Sequence, residues 1–166
     1  MPYDARAISN ALLDYSVKQS RPVSHLALQK ILYFCHGWYL AKYQEPLINE
    51  RVEAWGHGPV FKSAYKAFKE CGRENIEIRA VKMDFDLGSK IEVRDSISTN
   101  DLRFVQNIFD AYSRFSAIEL RRISHAKNGA WYGIWNASRE KAVAGMKIPN
   151  DLIYKCFLED EWPSGH

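Results

Sequence analysis

The sequence predicts a mainly α fold: a compact, single-domain helical chain with room for a small β-hairpin around residues 76–94. Three observations predict it. Apolar residues recur at helical spacings of three and four through most of the chain. Residues that cap helices stand just before those runs. Alternation of apolar and polar residues is confined to 76–94, where IEIRAVK and KIEVR flank DFDLGS. The chain has 166 residues and is 46% hydrophobic, enough for one domain to bury a core without staples.

Taken in order, Asp4 caps a first helix with Ile8, Leu12 and Tyr15 on one face. Pro22 breaks the chain. Ser24 then caps a longer helix to about Tyr43. Leu28, Leu32, Cys35 and Tyr39 form one apolar stripe on it, and Ile31, Phe34, Trp38 and Ala41 form another. A helix apolar around so much of its surface belongs at the centre. Gly37 inside it implies a close approach by another element, since glycine costs roughly 1 kcal/mol against alanine there.

Next comes VEAWGHGPVFKSAY, residues 52–65. Proline is favoured at a first helical position, so Gly58-Pro59 is expected to open a helix that Gly72 closes. After the alternating stretch, Ser98 or Thr99 caps a helix bearing Leu102, Val105, Ile108, Phe109 and Tyr112. Ser116 and Glu119 form a capping box, with Phe115 and Leu120 as its hydrophobic staple. That helix is expected to stop near Asn128-Gly129. A short aromatic helix with Trp131, Ile134 and Trp135 follows. Pro149 and Asn150 begin the last helix, with Ile153, Cys156 and Phe157 inward.

Composition narrows the function. The net charge is +3, spread without a basic stripe, so nucleic acid is not an expected partner. Three widely spaced cysteines, Cys35, Cys71 and Cys156, argue for free thiols in a reducing, cytoplasmic setting. No apolar run is long enough to span a membrane, and MPYDARAISN has no signal-peptide pattern.

Catalytic patterns are weak. Cys35 and His36 are helix neighbours, whose side chains diverge by about 100°, and Cys35 lies on the apolar stripe. No histidine or cysteine pair has zinc spacing, and GHG is not a phosphate-cradling loop. The acidic run Glu159, Asp160, Glu161 reads as a solvated face. No cofactor, metal or catalytic residue is expected. His57 reads as a residue that fixes a turn, with contact at a partner surface as the alternative. The aromatics Trp38, Tyr39, Trp55, Tyr65, Trp131 and Trp135 serve a core or an interface, since large rings with a polar tip suit both.

Three segments in order carry a family resemblance. LQKILYFCHGWYLAKYQEPL (28–47), EAWGHGPVFKSAY (53–65) and SHAKNGAWYGIW (124–135) resemble the conserved segments of the Panacea, or SocA-like, antitoxin domain. Ser124 stands where threonine is common in that family. The resemblance runs from about Asp4 to Phe157, with a short tail at 159–166, and marks 1–166 as one domain. It makes Leu28, Gln29, Lys30, Tyr33, Gly58, Pro59, Val60 and His125 structural signature positions. It implies a helical, non-enzymatic antitoxin that neutralises a cognate protein toxin by direct binding. It also implies an ATP-dependent protease or its unfoldase as a second partner, if the domain delivers its toxin for degradation. The rival expectation is a phage or prophage protein that binds a host factor. Trp38, Tyr39, Trp55, His57, Tyr65, Trp131 and Trp135 are the expected partner-binding residues.

Overall fold

The structure is a computed structural model that describes residues 1–138 and 146–162. Helix α1 (Ala5–Lys18) starts where the Asp4 carboxylate accepts from the Arg6 N–H. Helix α2 (His25–Tyr43) starts at Ser24, whose hydroxyl accepts from the Ala27 N–H, and ends at Gln44 in the left-handed conformation. Of its 19 residues 14 are buried, so α2 is the central element. Helices α4 (Thr99–Tyr112), α5 (Ala117–Ser124) and α7 (Asn150–Leu158) pack against it. Among the described residues, no helix is long and apolar enough to cross a membrane.

The expected close approach at Gly37 is present. A Cβ at Gly37 would lie 2.3 Å from two ring carbons of Phe157 on α7. That ring is held edge-on by Tyr33 and Trp38 and has little room to yield. On the other flank Phe34 stacks on Tyr112 of α4 at 4.1 Å. Ser98, rather than Thr99, caps α4, accepting from Asp101. The capping box at Ser116 and Glu119 is formed, with both hydrogen bonds in place.

Two expectations are corrected. Gly58-Pro59 does not open a helix. Val52–Trp55 (β1) and Gly58–Val60 (β2) form an antiparallel hairpin with Ala54 opposite Pro59 and Trp55 opposite Gly58. Gly56 and His57 are its two-residue turn. Proline is tolerated because β2 is an edge strand, where a missing N–H breaks no ladder. Helix α3 (Lys62–Phe68) begins after Phe61, and one 3-10 turn carries the chain to Gly72. Gly72 does close the segment, at φ +58. The second correction is α5, which ends at Ser124 rather than near Gly129. His125 closes it, and Ala126–Gly129 form a turn before α6 (Ala130–Ser138).

A third strand, β5 (Met146–Ile148), pairs with β1 on its other side, giving the order β2-β1-β5. The expected hairpin near 76–94 is also present, as β3 (Val81–Asp84) and β4 (Ser89–Glu92), joined through Gly88 at φ +64. Its base is held by one side chain. Buried Asn10 donates to the carbonyls of Ala80 (3.0 Å) and Val93 (2.9 Å) and accepts from the Ala80 N–H (2.8 Å).

Candidate functional site: the signature cluster at the β1–β2 hairpin

The signature positions converge from three stretches of sequence. Gln29 and Lys30 come from α2, Gly58 to Val60 from β2, and His125 from the end of α5. Gln29 accepts from the Phe61 N–H at 3.3 Å, tying the central helix to the end of the hairpin. Gly58 is forced by its surroundings. Its φ is +115, and a Cβ there would lie 2.7 Å from Lys30 Nζ and 2.9 Å from His125 Nε2. Leu28 is fully buried and Tyr33 is nearly so, and both face the core.

Aromatic rings form one side of the cluster. His125 stacks on Trp131 at 3.7 Å, and Trp131 stacks in turn on Trp135 at 5.6 Å. The Trp131 indole N–H donates to the Trp55 carbonyl at 2.7 Å, which locks α6 to the hairpin. Trp55 packs on Tyr65 at 4.6 Å, and Tyr65 on His25 at 4.9 Å. The Trp55 N–H donates to Glu53 at 2.8 Å. Glu53 is largely buried on the central strand and pairs with Lys147, directly opposite on β5, at 3.4 Å.

Two concavities flank the turn and share His57. One is a cavity of 170 Å³ lined by residues that include His25, Gln29, Lys30, His57 and Tyr65. The other is a wider groove of 610 Å³ between Trp55 and Trp135, with Glu53, Gly56, His57 and Lys62 along it.

The electrostatics are set by burial. Burial, with the Arg121 charge, pushes the Lys30 amine down to about 7. Burial also lowers His125, although a hydrogen bond to the His57 backbone pulls it back up, and the Lys30 charge lowers it further. His25 is lowered by burial and then by Lys30 and His57. Each group is thereby made harder to charge, because burial strips its water and the charges acting on it are positive.

The expected partner-binding residues divide. Trp55, Tyr65 and Trp135 are half-buried and His57 is exposed, all beside the groove or the cavity. Trp131 belongs to the same cluster but is buried beneath it. Trp38 and Tyr39 lie elsewhere. Eight or nine residues beyond Lys30 on a helix is about 13 Å of rise. Trp38 is buried, donating to the Tyr112 hydroxyl at 2.8 Å and meeting Trp162 edge-on. Tyr39 is bonded to Asp101 at 3.1 Å, against α4. A buried indole does not present a surface, so Trp131 supports the site from within.

The weighed nucleophile is inaccessible. Cys35 is fully buried, and burial pushes its thiol up. His36 bridges elements instead, accepting from Ile48 N–H at 3.3 Å and meeting Asn150 at 3.0 Å. Burial lowers it to about 4. Among the described residues, no three His, Cys, Asp or Glu side chains are grouped to hold a metal ion. Residues 163–166 of the tail lie outside the described residues, and Trp162 before them packs on Trp38 and Phe104.

Sequence reasoning missed Glu53, Lys147 and His25 as parts of this cluster. Two short apolar runs around Gly-His were a hairpin signal. The three residues of β5 are too few to show any period.

Known proteins resemble this chain over most of its length. The family model described as "Antitoxin SocA-like, Panacea domain" matches residues 28–132, which carry every signature position named above. Antitoxin SocA of Caulobacter vibrioides is 37% identical over 150 residues, covering 90% of this chain and 80% of that protein. No solved structure gives a significant match. The chain belongs to the SocA-like antitoxin family and carries its Panacea domain.

Proposed function

We propose that this protein is the antitoxin of a type II toxin–antitoxin pair and neutralises a cognate protein toxin by direct binding in the cytoplasm. The observation that carries this is the 37% identity to Antitoxin SocA across 90% of the chain. The binding face is the groove between Trp55 and Trp135, with His57 at its lip and Tyr65 beside Trp55. Aromatic side chains that are half-buried on a rigid floor suit a partner surface, because little conformational freedom is lost when they are covered. That floor is rigid for stated reasons: Trp131 is bonded to the Trp55 carbonyl and stacked on both sides. The role is non-enzymatic, in keeping with the burial of Cys35. One domain, residues 1–166, serves it.

The test is co-expression with the product of the adjoining gene, scoring growth and co-purification together. Rescue of growth with a stable complex is the expected outcome. Rescue with no complex and loss of the neighbour protein would replace simple occlusion with delivery to an ATP-dependent protease. A harmless neighbour that does not bind would contradict the proposal and favour a host-factor partner.

A further inference from the structure

Lys30 is an amine with nothing to donate to. It is fully buried, and its Nζ has no hydrogen-bond partner among the described residues. Nε2 of His125 is likewise buried without a well-formed hydrogen bond, although the His57 backbone favours its protonated form. Native interiors rarely leave such groups unmatched, and two in one place call for a third group. They are in one place: both lie within 3.0 Å of the point where a Gly58 side chain would begin.

The space beside Lys30 has the right character for that group. Lys30 reaches the cavity of 170 Å³, whose wall also includes His25, Gln29, His57 and Tyr65. All five side chains are able to donate a hydrogen bond. Among the described residues, no aspartate or glutamate lines it. A water molecule's share of liquid is about 30 Å³, so the cavity holds several heavy atoms and not merely one solvent molecule. Among the described residues, the charges that act on these groups are also positive: Arg121 lowers the Lys30 amine, and Lys30 lowers His25 and His125.

We propose that this cavity is a receptor for a single carboxylate group, with the Lys30 ammonium as its charged donor. A carboxylate there satisfies a buried cation that the described residues leave unpaired, and a charge-assisted hydrogen bond is the strongest kind available to it. Gly58 is then glycine for two reasons, its φ of +115 and the lack of room for a Cβ against the amine and His125 Nε2. The antitoxin reading bears only on the source of the group: an acidic side chain or chain terminus of the partner, or a free small carboxylate.

Acetate is the probe. The Lys30 amine of the wild-type protein is followed by NMR through a pH titration in sodium acetate and in sodium chloride of equal ionic strength. The expected result is a titration midpoint higher in acetate by about one unit or more, as an adjacent opposite charge produces. In parallel, acetate is expected to raise the thermal midpoint of the wild type in a saturable way and to leave Lys30→Met unaffected. Identical Lys30 midpoints in the two salts would overturn the proposal. So would an equal thermal response of the wild type and Lys30→Met. The purified complex then identifies the source. If the partner supplies the group, acetate weakens the complex and Lys30→Met lowers affinity at least about tenfold. If a free carboxylate fills the site, neither changes. The two readings fail separately. Acetate binding without a toxin partner leaves the receptor and removes the antitoxin. A toxin complex with an acetate-blind Lys30 does the reverse.

Discussion

Gly37 and Lys30 show how single positions on one helix are fixed by what faces them. Gly37→Ala would gain helix propensity of roughly 1 kcal/mol but would drive a methyl group into the Phe157 ring. Overpacking of a held aromatic costs about 1–3 kcal/mol. We expect a net loss of stability in urea denaturation, largely recovered when Phe157→Leu is added, which a double-mutant cycle would reveal as coupling. Lys30 gives a pH signature. Its folded value is about 7 against 10.5 for the free side chain. Between these, the unfolded chain binds a proton that the folded one does not, so stability rises with pH. The slope is about 1.4 kcal/mol per pH unit for one proton. Above about pH 9 the thiol of Cys35, raised by burial, acts in the opposite sense. Between pH 7 and 9, therefore, the wild type is expected to gain stability relative to Lys30→Met, as chemical denaturation at several pH values would measure. A parallel pH dependence in the two proteins would mean that Lys30 is not held near neutral. The position of Lys30 was legible in the sequence, one turn before Phe34 on an apolar helix. Its lack of a partner was not, because that depends on α5 and the β1–β2 hairpin, far away in sequence.

At the level of elements, the helices were legible and the sheet was not. Asp4, Ser24 and the Ser116–Glu119 box all cap the helices that the sequence assigns them. Caps are local chemistry, and local chemistry is visible in a string of residues. Gly58-Pro59 misled because proline after glycine suits a helix start and an edge strand equally. Only the pairing of β2 with β1 decides between them, and that pairing is completed by β5, about 90 residues later in the chain. The β3–β4 hairpin was visible from its alternation, but its attachment rests on Asn10, within α1. Asn10→Ala would strip three hydrogen bonds from the backbone of Ala80 and Val93. Leaving such buried groups unpaired costs about 1–3 kcal/mol. Amide exchange is expected to speed up selectively over residues 80–93 in that variant, with the helical core still protected. Uniform acceleration over the whole chain would show instead that the hairpin and core open together.

For the whole molecule, function turns on which face meets the partner. Two surfaces compete. The groove at Trp55, His57 and Trp135 rests on a stacked, hydrogen-bonded floor. The β3–β4 hairpin offers exposed apolar side chains, with Phe85 at 90% and Leu87 at 70% exposure, but on a two-stranded element held at its base. A rigid floor loses less freedom on binding, which favours the groove. Five of the seven expected binding residues, Trp55, His57, Tyr65, Trp131 and Trp135, lie together beside the β1–β2 hairpin. Trp38 and Tyr39 pack toward α4 instead, a separation that composition alone does not reveal. Calorimetry on the purified pair, this protein with the product of its adjoining gene, tests the claim most directly. A Trp55→Ala, His57→Ala double variant, checked for an unchanged fold by circular dichroism, is expected to lose affinity at least about tenfold, or about 1.4 kcal/mol. Phe85→Asp is expected to bind as the wild type does. Full affinity in the double variant, with binding lost in Phe85→Asp, would contradict the groove as the binding face and move the partner to the hairpin.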